Sequence, residues 1–311
     1  MACTSPSSTE ETIEHPIIVI HGGAGYILKE NFSKDKIALY ENSLEKVLNA
    51  GYKLLDQGVP VIDVVSLTIQ LLENDSLFNA GKGSVLNAKG MVENDASIMD
   101  GRTLNAGAVA SVSNVKNPIE LAKFVMDSTK HVMLSGNGAS VFADKMGVIR
   151  VGQTYYMTNK RRKQRDEILR ENKKYGTVGC VVRDKNGNIA AGTSTGGMHK
   201  KKWGRIGDSP IIGAGTYANN QYAGISCTGH GEYFIRNAVA YDLIARMKYA
   251  NQNMTDAAHQ ILHEVLRQQG GKGGMIGIDK DGNVLMDFNT NGMFRGFKKG
   301  VEKTQVFLFE N

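Results

Sequence analysis

Residues 175–180, YGTVGC, set a threonine directly after a glycine and at the start of an apolar, β-rich run. A threonine hydroxyl is a poor nucleophile unless a base stands beside it. A free α-amine on the same residue, of ordinary pKa about 8, can be that base. The chemistry therefore requires Thr177 to be a chain terminus, made by scission after Gly176. Glycine before the cut suits it, leaving the carbonyl open to attack and tolerating a strained backbone. Gly-Thr before a strand is by itself an ordinary strand start, so the surrounding residues decide.

Three further motifs add to it. Residues 193–197, TSTGG, end the strand that pairs with the Thr177 strand, and a hairpin returns its end beside its start, bringing Thr195 toward Thr177. Residues 204–210, GRIGDSP, place Arg205 and Asp208 in a glycine-punctuated loop. An arginine can grip a carboxylate bidentately and an aspartate can hold an ammonium, so the pair matches an amino-acid head group; the plain alternative is a local salt bridge. Residues 227–232, CTGHGE, offer Thr228 Oγ and the Gly229 N–H to a developing oxyanion, with a simple strand-to-helix turn as the plain alternative. His230 reads as a turn residue, because the threonine amine already supplies a base.

Residues 16–28, PIIVIHGGAGYIL, raise a rival chemistry, phosphate binding. Residues 17–20 read as a buried strand and residues 21–25 as a glycine turn. A P-loop needs Lys-Ser/Thr after the glycines, and a dinucleotide fingerprint needs a long helix and a later acidic residue. Tyr26-Ile27-Leu28 satisfies neither. Gly22 and Gly23 are read instead as a loop packed beside Gly176 and Thr177.

The elements that must hold these residues are legible in outline. The chain has 311 residues, 41% hydrophobic and 22% charged, enough to bury a large core. Residues 36–55 and 61–72 carry apolar positions at helical spacing; residues 84–99 and 107–112 read as strands, with further helices from 117 to about 126 and over 138–146. Two hairpins share one design. Asp184, Gly187, Thr195 and Met198 of the first match Asp279, Gly282, Thr290 and Met293 of the second. Between them lie another hairpin around Asn219-Asn220 and two helices, 234–247 and 257–266. Strands, helices and strands again imply helices packed outside layered sheets.

The net charge of +6 is local to residues 159–165, NKRRKQR, and 199–205, HKKKWGR; the plain reading of a short basic run is a solvated surface, and the first is read so. With no recognised module and 7% aromatics, nucleic-acid binding is excluded. No apolar run approaches a membrane span, and the polar, acidic first fifteen residues read as a disordered tail rather than a signal peptide. Cys3, Cys180 and Cys227 lack metal or CxxC spacing, which points to a reduced, cytoplasmic protein.

Taken in order, HGGAG, LFNAGKGS, ENDASIMDG, GTVG, TSTGG, GRIGDSPIIGAGTYANN and SCTGHGE resemble the plant-type asparaginases, or isoaspartyl peptidases, over nearly the whole chain. These are N-terminal-nucleophile hydrolases. The resemblance implies an α+β fold, a four-layer αββα sandwich, in one domain over 16–311. It implies self-cleavage between Gly176 and Thr177 into an α subunit, 1–176 with a mobile linker from about 150, and a β subunit, 177–311. Thr177 would be nucleophile and base, Thr195 would orient it, and Thr228 and Gly229 would hold the oxyanion. Arg205, Ile206, Gly207, Asp208, Thr228, Gly229, His230 and Gly231 would bind substrate, and Asn79 would lie close to the nucleophile. Expected substrates are asparagine and β-aspartyl dipeptides, and the expected assembly is an (αβ)2 dimer. Catalysis would need no cofactor. A structural Na+ or K+ would sit on main-chain carbonyls of the loop that includes Leu72, Glu73, Asp75, Phe78, Ala80 and Lys82. Trp203 stands where many members of the family carry proline, at the expected substrate entrance. Glycosylasparaginases share GTST and GRxGDSP, but typically have Asp before the nucleophile and lack HGGAG. An uncleaved scaffold is the remaining alternative.

Overall fold

The computed structural model describes residues 15–159, 161 and 176–310. The strand β1 (Ile17–Gly25) is apolar at successive positions because both its faces are covered. Ile18 and Ile20 pack with α1 (Lys34–Asp56) and α2 (Val61–Glu73), while Ile17 and Val19 face a second sheet. The chain continues through β2 (Asn94–Asp100), β3 (Ala106–Val112), α3 (Pro118–Ser128), β4 (Met133–Ser135), α4 (Gly136–Lys145) and the short α5 (Gln153–Tyr156). Then come β5 (Val178–Arg183), β6 (Ile189–Thr195), β7 (Thr216–Asn219), β8 (Ala223–Gly229), α6 (Gly231–Arg236) and α7 (Val239–Ala250). The helix α8 (Met254–His259) widens into a π-helix over Gln260–Leu266. Four strands close the chain: β9 (Gly273–Asp279), β10 (Val284–Phe288), β11 (Gly292–Lys299) and β12 (Gln305–Phe309).

Eight strands form one sheet in the order β12-β11-β1-β5-β6-β2-β3-β4, and four form the other, β10-β9-β8-β7. Three apolar cores separate the layers. Leu44, Leu48, Val64 and Ile69 of the first helices pack on Ile18, Ile20, Cys180 and Val182. Ile17, Val19, Val181, Ala191, Ile276 and Ile278 fill the space between the sheets. Ile225, Cys227 and Met275 pack against Leu243, Ile261 and Leu262 of the later helices. This is the αββα order expected from the sequence. Both described cysteines, Cys180 and Cys227, are buried free thiols. Among the described residues no helix is long and apolar enough to cross a membrane.

Local readings differ from the structure in instructive ways. The glycine run after Ile20 is not a turn outside the strand: β1 continues to Gly25, because β11 goes on pairing with it past a bulge between His21 and Gly23. Residues 84–93 are not strand. The Asn87 side chain accepts from Lys89 and Met91 N–H, folding the segment into a turn before β2. The helix read over 234–247 is broken at Ala238, which adopts a left-handed conformation (φ 46°). Beyond it Ala240 and Tyr241 donate to Ala214 and Gly213 carbonyls, re-anchoring the helix on the preceding loop.

The basic runs are less solvated than their charge suggests. Lys201 is buried, donating to Glu93 O at 2.9 Å with its Nζ 3.7 Å from Asp95 Oδ2. Arg161 is buried as well and donates through Nε and Nη2 to Gly83 O. Within residues 150–159, placed by the sequence in a mobile linker, Tyr156 is fully buried with its hydroxyl donating to Val115 O. Residues 160 and 162–175 of that linker and residues 1–14 of the tail lie outside the described residues.

Candidate active site

β5 and β6 pair with Val178 opposite Ser194, so the residue before one strand meets the last residue of the other. Thr177 Oγ1 accordingly donates to Thr195 Oγ1 at 3.2 Å. Thr195 Oγ1 donates to the Gly176 carbonyl at 3.0 Å and accepts from Gly197 N–H at 2.9 Å. The same carbonyl accepts from Asn79 Nδ2 at 2.7 Å. Asn79 is itself held: it donates to Gly197 O at 2.8 Å and its Oδ1 accepts from Val85 N–H at 2.8 Å. Two donors thus converge on the carbonyl oxygen of the peptide bond that precedes Thr177.

Behind Thr177 runs a line of hydroxyls that the sequence reading passed over. His21 is fully buried, and burial pulls its imidazole down to about 3, so the ring is neutral. Its Nδ1 lies 3.0 Å from Thr177 O, which can only accept, so the proton is assigned to Nδ1. Nε2 then accepts from Ser226 Oγ at 3.0 Å. Ser226 in turn accepts from Thr193 (2.6 Å), and Thr193 accepts from Thr216 (2.6 Å). Each direction follows from the one before. Gly179 lets the ring lie there, since a Cβ at that position would collide with His21 Nε2 and Ser226 Oγ. The available signal was serine and threonine recurring inside strands whose neighbours are wholly apolar.

Gly23 closes the site from the β1 side. Its φ is +111°, and a Cβ there would lie 2.9 Å from Gly176 Cα and 3.2 Å from Thr177 N. Gly22 instead abuts the Phe78 ring.

Gly176, Thr177, Thr195, Arg205, Gly207, Asp208 and Gly229 line one cleft, which in the uncut chain encloses about 10 Å³. That is space for about one water. Arg205 is held by Glu232, a partner the sequence reading missed, through Nε–Oε1 (2.8 Å) and Nη2–Oε2 (3.0 Å). This pairing keeps the Glu232 carboxyl below its ordinary range. Asp208 is buried, and burial pushes its carboxyl up to about 7 against the pull of its own backbone N–H and of Arg205. Its Oδ2 has no hydrogen-bond partner among the described residues. Gly231 packs against both groups, its pro-Cβ position 2.8 Å from Asp208 Oδ1 and 2.9 Å from Arg205 Nη2.

The other expected residues lie at the margins. Thr228 is fully buried and its Oγ1 accepts from Ala24 N–H at 3.4 Å, so its hydroxyl faces the β1 bulge. His230 donates its backbone N–H to Lys272 O and sets its ring against Tyr233. Ile206 is half-buried beside Arg205 in sequence but does not line the cleft. Trp203 is 97% exposed and borders a separate cavity of about 410 Å³ with Asn87, Lys89 and Glu93. It therefore does not crowd the cleft in this uncut state.

The loop that carries Asn79 is built on carbonyls. Cβ atoms at Gly81 and Gly83 would run into the carbonyl of Glu73 and into those of Ser76 and Phe78, respectively. Asp75 fixes the turn, accepting from Leu77 N–H and Ser43, whereas Leu72 O and Ala80 O already accept from Asp75 and Gly83 N–H. The Glu73 side chain turns away into the core, accepting from Ser194 (2.6 Å), Ile119 N–H and Asn117; burial nonetheless pushes its carboxyl up to about 8.

A family model described as Asparaginase matches residues 14–308. The chain is 44% identical over 295 residues to an isoaspartyl peptidase of Salmonella typhimurium, covering 90% of this chain and 94% of that protein. An isoaspartyl peptidase of Escherichia coli is also 44% identical, covering 90% and 92%. A probable isoaspartyl peptidase/L-asparaginase 2 of Arabidopsis thaliana is 42% identical over 311 residues, covering 90% and 94%. A threonine hydroxyl, a doubly held glycine carbonyl and an arginine–aspartate pair thus share one cleft in a chain that belongs to the asparaginase family.

Proposed function

We propose that this chain cuts itself between Gly176 and Thr177, and that the resulting threonine hydrolase takes L-asparagine and β-aspartyl dipeptides as substrates. The observation that carries the reading is the Gly176 carbonyl, which accepts from Asn79 and Thr195 while the Thr177 hydroxyl donates to that same Thr195. Thr177 Oγ1 attacks the Gly176 carbonyl carbon. Its proton passes to Thr195, whose own proton moves to the carbonyl oxygen. Asn79 Nδ2 is already aimed at the charge that develops there, so little reorganisation is needed. The C–N bond then breaks, the proton returns to the departing amine, and an ester remains on Thr177. Water frees Gly176 as a carboxylate.

The same hydroxyl, now with its own amine as base, attacks a substrate side-chain amide or β-peptide carbonyl. Ammonia or an amino acid leaves, and water releases aspartate. Arg205 takes the α-carboxylate in competition with Glu232. Asp208 takes the α-ammonium, which supplies its unpaired Oδ2 with a donor. One clamp serves both substrates, because both present the same head group. Thr228 and Gly229 hold the second oxyanion, Thr228 by turning from Ala24 toward the cleft, and Ile206, Gly207, His230 and Gly231 shape the clamp. No cofactor takes part.

The carbonyls crowded around Gly81 and Gly83 fit a hard monovalent cation. An Na+ or K+ on main-chain oxygens of Leu72, Glu73, Asp75, Phe78, Ala80 and Lys82 would stiffen the turn that presents Asn79. Cut protomers assemble in pairs, and the buried free thiols suit the cytoplasm.

Denaturing electrophoresis with intact mass measurement tests this reading, beside ammonia release from asparagine and aspartate release from β-aspartyl dipeptides. Two fragments with Thr177 as the new N-terminus, and both activities, are expected. A single full-length band that stays inert after long incubation would overturn it.

A further inference from the structure

We propose that His259, His263 and Asp287 form a binding site for a divalent transition-metal ion, on the outer face of the smaller sheet and away from Thr177. The two histidines stand four residues apart on one helix, a spacing that puts both imidazoles on one face. Their rings are stacked, 4.5 Å between centroids and 21° between planes. Asp287 reaches them from β10, its Oδ1 2.9 Å from His263 Nε2. One ligand atom from each of the three lies within 4.8 Å of the others.

The surroundings fix these groups. The helix is a π-helix from Gln260 to Leu266, a local widening that recurs at functional sites. Asn289 Nδ2 donates to Leu262 O at 2.7 Å, pinning the helix to the end of β10. Asp287 Oδ1 also accepts from Phe288 N–H at 2.7 Å, which sets the carboxylate.

An ion pair of His263 with Asp287 alone would not account for His259. The His259 ring lies against the His263 ring, so both imidazoles offer a ring nitrogen beside the Asp287 carboxylate. Two imidazoles and one carboxylate suit zinc, cobalt or nickel rather than calcium or magnesium, which prefer all-oxygen shells. His259 is exposed, so an ion reaches the site from solvent, and water completes the coordination.

The register places the site. Asp287 pairs with Met275 on β9, and Met275 with Cys227 on β8. All three side chains face the helices, whereas the cleft lies beyond the opposite face. Among the described residues β10 is an edge strand, paired with β9 alone. An ion there ties this edge to the helix above it, and so stabilises the fold by mass action.

The test uses tag-free protein stripped with chelator, titrated with Co2+ by visible absorption and with Zn2+ by calorimetry. One ion per chain is expected, with Kd of about 10 µM or tighter, together with a melting temperature raised by several degrees. His259→Ala is the discriminating variant, because an exposed side chain is removed and the His263–Asp287 pair remains. It should weaken binding at least about tenfold with an unchanged circular-dichroism spectrum. No saturation below about 1 mM, or equal affinity in His259→Ala, would overturn the site.

Discussion

The hairpins β5–β6 and β9–β10 share a turn and differ at the mouth. In the first, Asp184 Oδ1 accepts from Asn186 and Asn188 N–H, Asn188 Nδ2 returns to Oδ2, and Gly187 takes φ +79°. In the second, Asp279 does the same for Asp281 and Asn283, and Gly282 also takes φ +79°. At the open end the two diverge. Asn289 zips the second mouth, accepting from Gly273 N–H and donating to Leu262 and Gly271 carbonyls. The first mouth has Thr177 and Thr195 facing each other across a loaded carbonyl, with an unpaired buried carboxylate oxygen close by. One local design thus serves as a closed staple at one place and a reactive mouth at the other, and the difference rests on side chains, not on the turn.

Substitutions can break this contrast at different strengths. Thr177→Ala removes the attacking hydroxyl, and full-length chain with no ammonia release is expected; fragments at the same bond would show that another group cuts. Asn79→Ala removes one donor from the Gly176 carbonyl and should slow scission about 100- to 1,000-fold, read by the fragment ratio over time. A rate equal to the parent's would show that Asn79 only positions the loop. Gly23→Ala forces a side chain into left-handed backbone against Gly176 and should slow the cut about tenfold. Undiminished processing would remove the β1 bulge from the account.

At the second mouth, Asn289→Ala leaves Gly273 N–H unpaired and should cost about 1–3 kcal/mol of stability, measured by denaturant unfolding, while scission proceeds normally. Slowed scission would mean that the two mouths are coupled. Asp208→Asn, placed in uncut Thr177→Ala protein, probes the unpaired carboxylate. The folded group keeps its proton up to about 7, whereas the unfolded one releases it at about 3.9. Stability falls across that interval as pH rises. The melting-temperature advantage of Asn over Asp should therefore grow by a few degrees between pH 4 and 7, and a flat difference would place Asp208 in a more polar setting.

The parts of this molecule written in short stretches were readable. Ile17 to Ile20 announced a strand covered on both faces, and the Asn-Gly and Asp-Gly turns announced both hairpins. Thr177 and Thr195 could be paired because a hairpin register needs only local counting. Contacts that join distant strands were not readable. Nothing local in HGGAG says that β11 carries pairing past a bulge, or that the His21 ring crosses Gly179 to meet Ser226. The Glu232 grip on Arg205 spans 27 residues and depends on how α6 leaves β8. Charge density misled for Lys201 and Arg161, because burial of a long basic side chain depends on a carbonyl elsewhere that composition does not reveal.

Asn79 and Thr195, the two donors on the Gly176 carbonyl, come from the chain that carries it. The proposed scission therefore needs no group from a second molecule, and its rate should be unchanged by dilution. In the continuous chain the cleft has room for about one water. On the proposed mechanism, maturation is timed by the closing of the fold, and the catalyst's first turnover is spent on itself.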